Sequence, residues 1–181
     1  IFNASINQNN FLGTGKRVSL GISTGSVVTR YSFSYLNPYF TLDGISLGFG
    51  LTYTEVDAAE ANIGKYSSEV TAGSVSFGLP INEFDRARFG ISLADTKILT
   101  SAETPLEYLL FLEETGDEFT TLTVAGGLTH DTRDKGLFAT RGVRQNLNGE
   151  VAGGELEYYK INYRHLQYFP LARVLTLKLK A

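Results

Sequence analysis

The uninterrupted alternation from Ile45 to Thr54 is the feature that most restricts the fold of this chain. The segment reads I-S-L-G-F-G-L-T-Y-T, in which each large apolar residue is followed by a small or polar one. Side chains of a β-strand point alternately to its two faces, so this segment predicts a strand with one apolar and one small, polar face. A polar face that is free of charge and rich in glycine favours a membrane strand with its apolar side in lipid and its polar side in a lumen.

The same period recurs along the whole chain. Apolar residues alternate with small, polar or charged ones in six further segments, at 17–23, 30–35, 74–79, 88–93, 122–128 and 175–180. Repeated alternation at a period of two predicts an all-β chain. Together with the uncharged polar faces, it predicts an antiparallel up-and-down transmembrane β-barrel.

The composition excludes several classes of protein. The 181 residues carry 16 basic and 19 acidic side chains, a net charge of −3 without a clustered basic run, so a nucleic-acid partner is not expected. No apolar run is long enough for a transmembrane helix. The absence of cysteine rules out disulfides, thiol catalysis and zinc–cysteine sites. Because the chain has no methionine and starts directly in strand-like sequence, we expect it to be a segment of a longer polypeptide.

Turn-forming residues divide the sequence into ten predicted strands. Their approximate ranges are 1–11, 16–24, 28–40, 45–56, 66–80, 86–98, 118–130, 143–152, 156–168 and 173–180. Dividing 181 residues by ten gives about 18 per strand and connection, which suits membrane strands of ~9–11 residues joined by hairpins. Successive hairpins predict an antiparallel meander without crossovers.

The predicted connections fall into two alternating sets. The first set, at 13–15, 41–44, 81–85, 131–142 and 169–172, carries an aromatic residue at the edge of every member. The second set, at 25–26, 57–65, 97–117 and 153–154, includes the longest loops. Aromatic girdles with short turns on one side and longer loops on the other are typical of outer-membrane barrels. We therefore predict that the first set lies in the periplasm and the second outside the cell.

One connection of the second set is predicted to contain a short helix. Thr104 is placed as its N-cap, with Pro105 at the first helical position and Glu107 three residues after the cap. The helix is expected to continue to Glu114 and to stop at Gly116, about ten residues in all.

Residues 13–16 read G-T-G-K, a fragment of a phosphate-binding loop that fails the full pattern. Asn10 stands in place of the first glycine, and Arg17 stands where Ser or Thr would bind magnesium. We therefore predict a hairpin turn at this position.

The two histidines, His130 and His165, lack metal-ligand spacing. An outer-membrane hydrolase would need one of them beside a serine and a carboxylate. The favoured alternative is a turn after His130 in which Asp131, Arg133 and Asp134 pair with each other or cap backbone amides. We predict no catalytic, cofactor or metal site.

Five basic residues lie on the small-residue faces of their predicted strands: Arg30, Arg88, Arg144, Arg164 and Lys178. A charge facing lipid costs about 2–4 kcal/mol at the midplane, so these side chains are placed in the lumen. They could line a pore or pair with lumen carboxylates. Pairing is expected, because acidic and basic residues are similar in number.

Four motifs in family order resemble the BamA family of outer-membrane barrels. The hairpin from 37 to 48 reads N-P-Y-F-T-L-D-G-I-S-L-G, and the turns at 10–15 and 78–84 resemble two further family turns. The stretch from 131 to 142 resembles the D-x-R-D…F-x-T-x-G pattern of the wider superfamily. The N-P-Y-F-x-x-D-G turn favours this family over TamA and the two-partner secretion transporters. The matching residues, for which structural turn roles are expected, are Asn37, Pro38, Tyr39, Phe40, Asp43, Gly44, Asp131, Arg133, Asp134 and Gly142.

The resemblance implies a sixteen-stranded barrel preceded by periplasmic POTRA domains. Residues 1–181 would form a single segment of that barrel, from about strand two to strand eleven, without POTRA domains and without the remaining strands. The arginine–glycine–phenylalanine motif of the family's inward-folded loop and the strands of its lateral gate would lie outside this segment. A ten-strand arc would leave two open edges, which further strands would have to cover.

The resemblance also implies a function. It predicts a non-enzymatic factor, located in the outer membrane of a Gram-negative bacterium, that folds and inserts β-barrel proteins. Its partners would be outer-membrane lipid, nascent β-barrel proteins and periplasmic lipoprotein subunits, with no cofactor. The alternative from the same superfamily is a polypeptide-secretion pore or a passive channel.

Overall fold

The computed structural model of the protein describes residues 2–57, 66–100, 104–172 and 175–181. These residues form ten β-strands, one α-helix and one short 3-10 turn. The strands are β1 (Phe2–Gln8), β2 (Arg17–Thr24), β3 (Val28–Asn37), β4 (Ser46–Asp57), β5 (Tyr66–Pro80), β6 (Asp85–Thr100), β7 (Glu118–Asp131), β8 (Gly142–Gly154), β9 (Tyr158–Ala172) and β10 (Leu175–Lys180). The helix α1 spans Leu106–Thr115, and the 3-10 turn spans Phe11–Gly13.

The strands form one antiparallel sheet in sequence order from β1 to β10, which confirms the predicted meander. The pairing register aligns the apolar residues of neighbouring strands on one face and the small or polar residues on the other. Leu51 pairs with Phe33 and Gly73, whereas the adjacent Thr52 pairs with Ser32 on the opposite face. The sheet therefore has an apolar face, which carries Leu51 and its row, and a polar face, which carries Thr52 and its row.

The sheet encloses no apolar core of the kind found in soluble proteins. Among the described residues, the buried hydrophobic side chains are Phe119, Ala139 and Ala152. The accessible surface is 12671 Å², whereas a compact monomer of 19.8 kDa would expose about 8,600 Å². Within the described residues β1 pairs only with β2 and β10 only with β9, so the sheet is open. These properties fit an arc of a larger barrel.

Most predicted strand positions agree with the structure, and two early ends differ for local reasons. β1 stops at Gln8 instead of continuing to residue 11, because the chain enters the 3-10 turn at Phe11. β3 stops at Asn37 instead of residue 40, because Pro38 has no N–H with which to continue the ladder.

Two predicted connections are wrong, because their residues belong to strands. Gly154 pairs with Thr121 at the end of β8, although the Gly-Gly sequence favoured a turn. Ala172 pairs with Leu175 at the end of β9, and the register shifts at the next pair, where Pro170 lies opposite Thr176. Such an irregularity lets a proline occupy a strand. The turn between β9 and β10 lies outside the described residues.

The predicted helix is present and begins one residue later than expected. Pro105, and not Thr104, is the N-cap, because the ψ of Pro105 is 144°, outside the helical region, and no side chain caps the first turn. Gly116 ends the helix as predicted, with φ +90° and its N–H donating to the carbonyl of Leu112 at 2.8 Å. Within the described part of the chain, no helix is long and apolar enough to cross a membrane.

The connections alternate between the two ends of the sheet. We call the end with connections 9–16, 38–45, 81–84 and 132–141 the turn end, and the end whose longest connection, 101–117, contains α1 the helix end. Apart from 101–117, the connection lengths at the two ends overlap. The placement of the turn end in the periplasm therefore stays a prediction.

Candidate functional site

The apolar face is exposed across the full width of the sheet. Leu51 in β4 is 59% exposed, Leu93 in β6 is 54% exposed and Val151 in β8 is 62% exposed. Aromatic side chains pack on this face across strands, with the rings of Tyr31 and Tyr53 stacked 6.0 Å apart. An apolar surface of this width marks contact with a membrane or another protein.

The apolar interval has the height of a membrane. On β6, Asp85 and Asp95 bound the apolar-face residues Ala87, Phe89, Ile91 and Leu93. The ten residue-to-residue steps from Asp85 to Asp95 extend about 33 Å along the strand, or about 25 Å vertically at the tilt usual in barrels. On β7, His130 lies opposite Asp85 and Thr120 lies opposite Asp95. The apolar intervals of the two strands therefore end at the same two rows.

The polar face contains glycine–serine pairs that need close contact between strands. A Cβ atom at Gly48 or at Gly50 would lie 2.7 Å from the hydroxyl of Ser76 or Ser74, respectively. Small residues thus line the face that carries Arg88, and they leave space above the sheet. The arrangement matches a lumen wall and is unlike the interior of a sandwich.

The first family-motif turn holds its backbone with its own polar groups. The amide of Tyr39 donates to the Asn37 side chain at 3.3 Å, and the amide of Phe40 donates to the carbonyl of Ile45 at 2.8 Å. Gly44 adopts φ +82°, a conformation that favours glycine. Tyr39 is 77% exposed. Within the described residues, the carboxylate of Asp43 makes no hydrogen bond, and Pro38 has no side-chain group that could make one. Of the motif residues, Asn37 therefore holds the turn through its side chain and Gly44 through its backbone conformation.

The connection from β7 to β8 at 132–141, the β7–β8 loop, is held at its base by an ion pair. Arg133 donates from Nε and Nη2 to the two carboxylate oxygens of Asp131, both at 2.8 Å. Its Nη1 donates to the carbonyl of Gly136 at 3.3 Å. A two-point Arg–carboxylate contact fixes geometry as well as charge. Arg133 therefore ties the end of β7 to the middle of the loop.

Asp134 organises the other side of the same loop. Its carboxylate accepts hydrogen bonds from the Thr140 amide at 3.0 Å, the Thr140 hydroxyl at 2.7 Å and the Arg141 amide at 3.3 Å. These bonds lower the pKa of Asp134 to about 2, with the Thr140 hydroxyl as the largest cause. The loop projects Phe138, which has φ +54° and is 92% exposed.

We expect Asp134→Asn to lower the stability of the protein near neutral pH. The pKa of about 2 in the folded protein lies below the ordinary value of 3.8 for an aspartate, so the carboxylate contributes stability above about pH 4, and this contribution is lost as the pH falls through about 2. The urea midpoints of the wild type and the variant should therefore converge in acid. Asp43→Asn is the control, because Asp43 holds no backbone amide in the described chain. A difference as large at pH 2 as at pH 7 would contradict this role of Asp134.

The two histidines lie in one row on the apolar face at the turn end. Asp85, His130, Gln145 and His165 are successive cross-strand neighbours. His130 Nδ1 lies 2.7 Å from the Asp85 carboxylate. The side chains within hydrogen-bond distance of the His165 imidazole are Gln145, Tyr163 and Gln167, each at 3.3 Å. Neither histidine has a serine among its described hydrogen-bond partners.

Among the described residues, the expected pairing of the polar-face cations with carboxylates is found at Arg144 and not at the other four. Arg30 donates to the Thr54 hydroxyl at 3.3 Å. Arg144 lies 3.8 Å from Asp131, whose carboxylate is already held by Arg133. Within the described residues, Arg88 and Arg164 have no ion-pair partner. Acidic and basic residues are similar in number, as the pairing prediction assumed. Most of the described carboxylates, however, lie away from these cations.

The ion pair on the polar face that sequence reasoning missed joins Lys160 to Glu150, at 2.8 Å. These residues are opposite each other in the β8–β9 register. Knowing that register in advance would have identified the pair, because cross-strand neighbours on one face approach within side-chain reach.

Comparison with known proteins identifies the family. The Omp85 superfamily domain matches residues 10–181. The chain belongs to the Omp85 superfamily. It is 30% identical over 191 aligned residues to the outer membrane protein assembly factor BamA of Neisseria meningitidis, covering 99% of this chain and 24% of that protein. The chain thus spans about a quarter of this curated relative.

A solved structure agrees with this assignment to the Omp85 superfamily. The crystal structure of BamA from Haemophilus ducreyi lacking POTRA domains 1–3 matches 94% of this chain and 35% of its own, with a TM-score of 0.76 and 25% identity. As an Omp85 member similar to BamA, the chain is an outer-membrane protein of a Gram-negative bacterium. Its apolar face is therefore the lipid face, and its polar face is the lumen face.

Proposed function

We propose that the polypeptide containing this chain folds and inserts β-barrel proteins into the outer membrane. The observation that carries the proposal is the 30% identity to an outer membrane protein assembly factor over 99% of the chain. It is supported by the order and spacing of the turn motifs, whose Asn37, Gly44, Asp131 and Asp134 hold backbone or ion-pair contacts at two turns.

The physical basis of insertion would be strand pairing at an openable edge. A strand edge presents unpaired N–H and C=O groups, which an incoming strand can satisfy by adding to the sheet. In lipid such groups are costly to leave unpaired, so a client strand gains free energy as it pairs. No nucleotide is required in this scheme, because client folding supplies the driving force. The ten strands described here would form the wall beside that edge.

Three kinds of partner follow from the proposal. The lipid face would contact outer-membrane lipid, the openable edge would contact nascent β-barrel proteins, and the periplasmic side would contact lipoprotein subunits of the assembly machinery. The exposed turn-end residues Leu12, Tyr39, Leu42 and Phe138 offer apolar groups to such subunits if that end lies in the periplasm.

An insertion assay tests the proposal. The complete polypeptide is reconstituted in phospholipid vesicles, and a urea-unfolded outer-membrane barrel is added by dilution. We expect the client to become resistant to protease faster than in empty vesicles or in vesicles holding an unrelated barrel. Unchanged insertion together with steady ion conductance would instead support the channel or secretion-pore alternative.

A further inference from the structure

Five basic side chains gather on the lumen face toward the turn end. Arg88 comes from β6, Arg144 from β8, Arg164 from β9, and Lys178 and Lys180 from β10. All five line one cavity of about 390 Å³. We call this group the cation cluster.

The described residues do not neutralise the cation cluster. Its nearest described carboxylate, Asp131, is held by Arg133 at 2.8 Å and lies 3.8 Å from Arg144. The Nε atom of Arg144 is shielded from solvent and faces the Asp131 carboxylate at 3.8 Å, which is too far for a hydrogen bond. The ammonium of Lys178 lies over the ring of Tyr168, 5.9 Å from its centre, and makes no ion pair among the described residues.

The carboxylates of the chain concentrate at the opposite end of the sheet. Glu55, Glu69, Asp95, Asp117, Glu118 and Glu155 all lie at or near the helix end. The basic residues at that end, within the described part, are Arg30, Lys97 and Lys160. If the helix end faces outward, this protein is itself a barrel with acidic outer connections. A client barrel built in the same way has to carry acidic connections across the membrane.

We propose that the cation cluster binds acidic outer connections of client barrels while they cross the membrane. The inference rests on the proposed insertion function and on the predicted orientation. The cluster spans β6 to β10, four strand spacings or about 19 Å, which is too wide for one small anion and suits a polypeptide with several carboxylates. Lipid headgroups are separated from the cluster by the sheet. Asn146, Asn148 and Asn162 lie among the cations and offer amides to the backbone of such a segment.

Electrostatic attraction would act mainly on the rate of capture. Charges on one face of a cleft raise the local concentration of an oppositely charged ligand and its rate of association. Added salt weakens attraction between solvated charges. The cluster should therefore speed the insertion of acidic clients at low ionic strength and have little effect on neutral ones.

The test compares two clients and two variants of the complete polypeptide in vesicles. One client is an eight-stranded barrel with acidic outer loops, and the other is the same barrel with those carboxylates changed to Asn and Gln. The cluster variant carries Arg88→Gln, Arg164→Gln and Lys178→Gln. The control variant removes three cations elsewhere, through Lys16→Gln, Arg30→Gln and Lys97→Gln. We expect the cluster variant to slow the acidic client about tenfold and the neutral client by less than about twofold. The control variant should slow neither.

Carbodiimide coupling provides a direct readout of contact. The reagent joins an amine to a carboxylate that touches it, so Lys178 and Lys180 should couple to loop carboxylates of the acidic client during insertion. The pair Lys160–Glu150, at 2.8 Å, is the internal positive control. Mass spectrometry of the coupled peptides identifies the carboxylate donor.

The outcomes separate this inference from the proposed function. Equal slowing of both clients, or coupling of Lys178 and Lys180 only to carboxylates of their own polypeptide, would overturn the inference and assign the cluster a structural role. Normal insertion of the acidic client by the cluster variant would also overturn it. Failure of the wild type to insert even the neutral client would contradict the proposed function instead.

Discussion

Replacing Ile91 by arginine is expected to destabilise the membrane-inserted protein by about 2–4 kcal/mol. Ile91 lies near the middle of the apolar interval of β6, between Asp85 and Asp95, and its side chain is 44% exposed. Its cross-strand neighbours are Val75 and Val124, so the two adjacent strands offer no polar side chain on this row to solvate a guanidinium. An arginine there would be placed in hydrocarbon at the depth where a charge costs most.

The adjacent position supplies a matched control. Ser92 is the next residue of the same strand and points to the lumen face, where its neighbours are Ser74 and Thr123. Ser92→Arg adds the same side chain at nearly the same depth but in a polar lumen, so we expect less than about 1 kcal/mol of destabilisation. Urea titration of the complete polypeptide in vesicles, followed by circular dichroism, measures both changes. A larger effect at Ser92 than at Ile91 would reverse the assignment of the two faces.

The two faces could be predicted from sequence because alternation is a local property. Each strand repeats the contrast between an apolar and a small residue, so the fold class and the strand positions follow without knowledge of which strands pair. The strand ends predicted near Gly154 and Ala172 were wrong, because glycine and proline occur at irregular strand positions as well as in turns. Gly154, with φ +128°, is needed where a Cβ would overlap the Thr120 carbonyl, and Pro170 is tolerated at an irregular pair.

The charge arrangement could not be predicted in the same way. Whether Arg144 meets a carboxylate depends on the register of β7 against β8, which places Asp131 directly opposite, and on the conformation of Arg133, which occupies that carboxylate first. Counting charges suggested a neutral lumen. The structure instead places most of the described basic groups toward the turn end and most of the described acidic groups at the helix end.

Gly142→Ala is the second substitution with a large expected effect, about 3 kcal/mol or more of destabilisation. Gly142 begins β8 with φ +104°, a conformation that an L-residue adopts only with strain of about 1–3 kcal/mol. A Cβ there would also overlap the carbonyl oxygen of Thr132 and lie 2.7 Å from the Cα of Arg133. Both are backbone atoms, so relief requires moving the β7–β8 loop, and overpacking of this kind costs about 1–3 kcal/mol.

Alanine substitutions at two further glycines separate the two causes, which are strain from a positive φ and overlap of the added Cβ with neighbouring atoms. Gly13 has φ +73° with no atom within 4 Å of an added Cβ, so Gly13→Ala tests conformational strain alone. Gly50 has no positive φ, and its added Cβ would meet only the rotatable hydroxyl of Ser74 at 2.7 Å, so Gly50→Ala tests a mild clash alone. We expect Gly142→Ala to cost more than Gly13→Ala and Gly50→Ala together, because rotation of one hydroxyl relieves the clash at Gly50 but not that at Gly142. Urea midpoints of the three variants measured in the same vesicles decide this. If Gly142→Ala cost no more than Gly13→Ala, the contact between the start of β8 and the Thr132–Arg133 backbone would not constrain the loop that Asp131, Arg133 and Asp134 hold together.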